Sequence, residues 1–233
     1  MSKSLKIILE IVLAAVIVLL AWLIIASVQK PVKFNKELDA RSQVAVQRLK
    51  DIRTLQVAYK SANGRFSPCV DSLKMFYETG KMDITMQIGS NDDSIAVANT
   101  EAIKKANKKL NPAQMTAKLR EAYEQGQKVV FSETTQIPVK DTLFTNRPDF
   151  CIDSLYFIPF SGKEKVEMES TIKTVSGVQV PLFEARMPYK ALCKGMDNQL
   201  RINKDAECED QNKYKGLQVG SVSAPNNNAG NWE

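Results

Sequence analysis

The side chains able to do chemistry in this chain are carboxylates, cysteines and lysines, because its 233 positions include no histidine. That absence removes the commonest general base and the commonest metal-ligating side chain. The acidic groupings, Asp92-Asp93 and Glu207-Glu209-Asp210, lie in polar stretches, where a solvated carboxylate is the ordinary outcome. No G-x-S-x-G elbow, P-loop or dinucleotide fingerprint occurs. A catalytic role is therefore not expected, nor a cofactor or a small-molecule substrate. The four cysteines, Cys69, Cys151, Cys193 and Cys208, contain no C-x-x-C pair, whereas zinc sites normally draw ligands as close pairs. Two readings stay open for them. One is a disulfide, with Cys193 and Cys208 as candidates because KGMDNQLRINKDAE between them suits a chain reversal. The other is four free buried thiols, since spacing alone does not establish disulfide geometry.

The formal charge is +6, and the densest basic cluster is Lys104, Lys105, Lys108 and Lys109 in EAIKKANKKL. At helical spacing these four form one stripe, for which a solvated face is the expected role. No aromatic residue is interleaved there to stack on bases, so nucleic acid is not an expected partner. One carboxylate stands apart. Glu10 sits at the edge of the most apolar stretch of the chain, with Lys6 four residues earlier at ion-pair spacing. An acid at the bilayer centre costs about 2.5–3.5 kcal/mol on insertion scales. Near the interface it snorkels to water at a much smaller cost, so Glu10 reads either as an interfacial residue or as a contact to a membrane partner.

These residues depend on the elements that position them. From Ile11 to Val28 no charge occurs, and a helix of about 20 residues crosses a hydrocarbon core of roughly 30 Å. A secretory signal has a shorter apolar core of about 7–15 residues and a small-x-small cleavage site. Ile24 and Ala26 match that site poorly, so the expectation is a retained anchor at 1–30. Lysines flank the span on both sides, but long domains translocate largely regardless of loop charge. The expected topology is a cytoplasmic N-terminus in the inner membrane and a periplasmic C-terminal domain.

Beyond Pro31, which reads as a kink or brief break, Leu38, Ala45, Ile52 and Tyr59 recur every seven residues, thickened by Leu49 and Leu55. That is an amphipathic helix over 31–66, with Arg41, Arg48, Lys50 and Arg53 available for its other side. Its stripe faces either a sheet of the same chain or a partner. Asn63-Gly64 should end it, since both residues tolerate the left-handed backbone. A mostly helical insertion is expected over 67–127, although MDITMQIGS within it alternates like a strand. An antiparallel β domain is expected over 128–222, built from KVVFSETTQIPV, SLYFIPFS, KVEMESTIKTV, VQVPLFEARM and GLQVGSV. The tail 223–233 is polar and should be extended or mobile. The pattern C-[VI]-D-S-L occurs twice, at Cys69–Leu73 and Cys151–Leu155, and suits local caps in which Asp and Ser bond nearby amides.

An apolar N-terminal span, an internal Glu10, a continuing helix LDARSQVAVQRLKDIRTLQVAYKSA and an NGRF stop resemble type IV pilins and type II secretion pseudopilins. The resemblance covers roughly the first 70 residues, and the whole chain is also similar to bacterial single-span envelope proteins. It implies an α+β fold, with a transmembrane helix continuing into a long amphipathic helix packed on an antiparallel sheet, plus extra short helices. Glu10 takes the place of the family's buried acid, which meets a neighbour's N-terminal amine. Leu5-Lys6 stands where the family has glycine before an apolar first residue, which implies a pilin-like anchored protein without that processing. The partners implied are the lipid bilayer and other membrane or periplasmic proteins, this chain included. Glu10, Leu38, Ala45, Ile52 and Tyr59 are the partner-contact candidates. An accessory subunit of an envelope secretion or energy-transducing complex is the alternative.

Overall fold

Sixty-one consecutive residues, Lys3–Asn63, form one α-helix, α1. The computed structural model describes the backbone of residues 3–233, and the side chains of residue 7 and of residue 10 onward, residue 26 apart. Pro31 lies inside α1 without ending it, at the loss of one main-chain hydrogen bond. The stop comes where the Asn-Gly pair predicts it. Gly64 takes φ +71° and its N–H donates to the Lys60 carbonyl at 2.8 Å, a left-handed cap that glycine adopts without a Cβ clash. The apolar half of α1 is long enough to cross a membrane, and none of its most apolar window is covered by the rest of the chain.

From Phe34 the character of α1 changes. Leu38, Ala45, Leu49, Ile52, Leu55 and Ala58 are all buried, a face at helical spacing. After α1 come α2 (Val70–Thr79), β1 (Lys81–Ile88), α3 (Ser94–Ala106), α4 (Pro112–Glu124), β2 (Phe131–Pro138) and α5 (Val139–Thr142). A 3-10 turn over Ile152–Tyr156 precedes β3 (Glu167–Val175), β4 (Val178–Pro188), α6 (Tyr189–Leu192), α7 (Asn198–Asp210) and β5 (Gly216–Gly220). The class is α+β, as expected.

The chain divides into two compact units, one of residues up to 74 with 151–233, the other of residues 75–150. This differs from the predicted boundary at 128, and strand pairing is the reason. The strand in KVVFSETTQIPV pairs antiparallel with the one in MDITMQIGS, from Lys81↔Pro138 to Ile88↔Phe131. β2 therefore belongs with the insertion.

In the first unit a three-stranded antiparallel sheet runs in the order β3-β4-β5, with Glu167↔Arg186 and Pro188↔Gly216 fixing its two registers. The α1 helix packs against β4, β5 and the 3-10 turn. Leu182 to Ala185 are buried in succession, so both faces of the central strand are covered; Phe66 stands against Phe183 with ring centroids 4.7 Å apart. Two expectations fail here. SLYFIPFS is not a strand: it forms the 3-10 turn and a single bridge, Phe157↔Lys165, because Pro159 cannot donate to a ladder. The tail is not loose either. Val219 bridges Gly230, Asn231 hydrogen-bonds Gln218 and Gly216, and Glu233 pairs with Arg53 at 2.6 Å. Thus the last residues cover the outer edge of β5, an edge that would otherwise offer unpaired main-chain groups.

In the second unit α3 and α4 lie between the paired strands in sequence, and Leu119, Ala122, Val129 and Phe131 form its core. Asp93 caps α3 by accepting from the Ile95 and Ala96 amides. Asn111 and Gln114 form a capping box at α4, whose first residue is Pro112. Phe144 and Phe150 stack at 3.9 Å, with Tyr77 edge-on to Phe150.

Candidate functional site

The residues proposed from sequence do not form one site. Glu10 is exposed near the start of the apolar run, about 40 Å of helix below Leu38 at the ordinary helical rise. Its pairing with Lys6 lies outside the described side chains. Leu38, Ala45 and Ile52 are interior, Ala45 and Ile52 with no exposed surface at all. Their burial corrects their candidacy as partner contacts: in the folded chain they are covered by its own sheet and turn. Tyr59, by contrast, is half-buried at the border of that core.

The arginines of α1 do something the periodicity did not indicate. They flank the stripe and reach across to main-chain carbonyls. Arg41 donates to the Leu192 and Lys194 carbonyls at 3.0 and 2.9 Å, closing the end of α6, and lies over the Phe160 ring. Arg48 donates to the Phe157 carbonyl at 2.6 Å. Arg53 donates to the Asn228 carbonyl and the Glu233 carboxylate. Three loops are held to one helix by groups whose acceptors are mostly backbone atoms, the Glu233 carboxylate apart, so residue type advertises little of the pairing.

The two C-[VI]-D-S-L segments meet at the positions where the first unit gives way to the second and resumes. Tyr156 donates to Asp71 at 2.7 Å, and Lys74 pairs with Asp153 at 2.6 Å. Each acid is thus bonded by the residue that follows the other motif, while Leu73 and Leu155 are fully buried. The expectation of Asp capping its own neighbouring amides is corrected here; the echo is a cross-brace.

All four cysteines are free thiols, although Cys151 is exposed; of the two readings left open, the Cys193–Cys208 disulfide is the one not formed. KGMDNQLRINKDAE is not a reversal: Asp197 caps it as α7, with Cys208 inside the helix and Cys193 at the end of α6. Burial pushes the Cys193 thiol up to about 11 and raises Cys208, which disfavours the reactive thiolate at neutral pH. The lysine stripe is also broken. Its helix ends at Ala106, where Asn107 turns back to bond the Ile103 carbonyl, so Lys108 and Lys109 lie beyond it. Asp93 is held below the usual carboxylate range by the Lys128 hydrogen bond and the α3 amides, which makes it a cap rather than an acid or base.

Burial also raises three tyrosines of the first unit, Tyr156, Tyr189 and Tyr214, each to about 12. For groups whose folded values lie above their unfolded ones, stability is fully present below the unfolded value and drains away as pH rises through the folded one. The melting temperature should accordingly hold to about pH 9 and fall between about pH 9 and 12, the window set by Cys193 and the tyrosines. Melts across that range, read with tyrosinate absorbance, check this. An unchanged melting temperature at pH 11.5 would contradict it.

The second unit carries a groove of about 380 Å³ along α3 and α4, floored by Ala102, Ile103, Ala106 and Ala122 and edged by Lys118 and Glu121. Among the described residues no group of three or more Cys, Asp or Glu side chains stands close enough to hold a metal ion. What the molecule offers is therefore an uncovered apolar helix, a unit in which its continuation packs on an antiparallel sheet, and a second unit with an open interhelical groove. Comparison with known protein families, curated proteins and solved structures finds no match to this chain.

Proposed function

We propose that this chain is a single-pass, membrane-anchored, pilin-like structural or assembly protein of the bacterial cell envelope that acts through protein–protein contacts. One observation carries the reading. A single unbroken helix presents uncovered apolar side chains in its first half and serves as the core of the sheet unit in its second. A spine of that kind transmits position from the bilayer to the outer domain without a flexible joint. The N-terminus is placed in the cytoplasm and the region after Pro31 in the periplasm, on the argument that long domains translocate regardless of flanking charge. The absence of histidine supports a role without catalysis. The alternative, an accessory subunit of a secretion or energy-transducing complex, draws on the α3–α4 groove, whose apolar floor and charged rim suit a partner segment.

Photo-crosslinking from within the span tests both readings. With Val18→p-benzoylphenylalanine in membranes of the native host, adducts with a second copy support assembly. Adducts with a different protein support the accessory reading, and adducts with lipid alone would sink both. In the first case Glu10→Leu should reduce the dimer adduct by about tenfold, the factor expected when a polar contact of 1–2 kcal/mol between helices is lost. The melting temperature should stay unchanged, because Glu10 is exposed at the start of the uncovered part of α1.

A further inference from the structure

Helix α7 contains no buried residue along its length, and Ile202 on it is 42% exposed. Its first turn lies beside the upper part of the apolar run of α1. Asp197, Gln199 and Leu200 face Leu23, Ser27, Lys30 and Pro31 across a crevice of about 440 Å³. Both walls belong to the same unit. The α1 helix rises about 12 Å between Leu23 and Pro31. Because the apolar run ends at Val28, Leu23 lies about 7–8 Å inside it and Lys30 about 3 Å beyond. The crevice therefore straddles the level at which α1 would leave the hydrocarbon. Its walls suit that depth: Leu23 and Leu200 are apolar, Ser27 is small, and Lys30 supplies a cation at the upper rim. The Asp197 carboxylate is engaged by its own helix, its Oδ1 accepting from the Gln199 and Leu200 amides at 2.9 and 3.1 Å, which holds it at the α7 N-terminus, where the helix dipole favours an anion.

We propose that a bilayer phospholipid fills this crevice, with its glycerol and upper acyl chain between Leu23, Ser27 and Leu200 and its phosphate beside the Lys30 ammonium. The first turn of α7 then rests in the membrane interface and gives the outer unit a second point of contact with the bilayer. This rests on the reading of α1 as a membrane span, whose depth fixes the crevice at the level of the headgroups. Lysine beside an anionic lipid surface is a favourable pairing, and interfacial helices bury only their apolar side chains to this shallow depth.

The test uses the full-length chain in vesicles of phosphatidylethanolamine and phosphatidylglycerol. Leu200→p-benzoylphenylalanine and, at an exposed neighbour, Gln199→p-benzoylphenylalanine are irradiated and the adducts identified by mass. In parallel, the Trp232→Phe variant leaves Trp22 as the sole tryptophan, and its quenching by brominated lipid reports whether the span is in the bilayer. The expected result is quenched Trp22 together with lipid adducts from both positions, reduced about fivefold by Lys30→Gln. Quenched Trp22 without lipid adducts, or with adducts to a second copy instead, overturns the lipid assignment and leaves the span standing. Unquenched Trp22 overturns the span itself, and the proposal with it.

Discussion

Ile52→Asp should unfold the first unit or bring it close to unfolding at neutral pH. Ile52 has no exposed surface and lies among Leu49, Leu55 and Ala45 on the face of α1 that meets the sheet. Truncating a buried isoleucine costs about 2–5 kcal/mol through lost transfer and a residual cavity. Aspartate adds a carboxylate that must be neutralised or drag water into the core. Together these exceed about 4 kcal/mol, a large share of the roughly 5–15 kcal/mol that holds a typical domain folded. Ile52→Val, which removes one methyl group, should cost only about 0.5–1.5 kcal/mol. Thermal melts of the full chain in detergent, compared with limited proteolysis, measure both. If the aspartate variant melted within a degree or two of the parent, the stripe would not be core, and a partner-facing role for Ile52 would return.

Where the sequence was legible, a strong local rule and the tertiary packing agreed. The heptad of Leu38, Ala45 and Ile52 marks a face that is in fact buried, and Asn63-Gly64 ends α1 with a left-handed cap. Pro112 opens α4 as predicted, and five of the expected strand segments coincide with β1 to β5 apart from a few residues at their ends. The failures come from pairings between distant residues. Nothing in KVVFSETTQIPV says that it pairs with MDITMQIGS rather than with the later strands, so the division of the chain was misplaced. The tail looked free because its contacts are main-chain and amide bonds to β5, which polar composition conceals. From sequence, Arg41, Arg48 and Arg53 are placed only on the helix's other side, because their acceptors are mostly carbonyls of remote loops. In candidate contacts the same limit applies: the apolar stripe was visible, but its ownership by this chain required the sheet to be placed.

Gln56→Ala should be the second most damaging of these changes, although the residue is polar. Gln56 is completely buried. Its side-chain amide donates to the Ser67 carbonyl and accepts from the Ser67 N–H, both at 2.8 Å. The amide thus stands in for a ladder partner and holds the segment after the NGRF turn against α1. Ser67 is itself fully buried, so alanine at 56 leaves one main-chain donor and one acceptor dry and unpaired. At about 1–3 kcal/mol for each group, the loss should reach about 3–5 kcal/mol once the cavity is included. Gln56→Glu distinguishes lost hydrogen bonds from lost volume, since the two side chains have the same shape. An ionised carboxylate accepts from the Ser67 N–H but has no proton for the Ser67 carbonyl. The folded state therefore favours the protonated acid, whose pKa rises above the unfolded value of about 4.3. A raised carboxyl value means that stability is present below the unfolded pKa and is lost as pH rises. Melts of both proteins from pH 4 to 8 should show the gap between Gln56→Glu and the parent narrowing as pH falls. A pH-independent gap, or an alanine variant within about 1 kcal/mol of the parent, would mean that the amide clamp does not hold this segment in place.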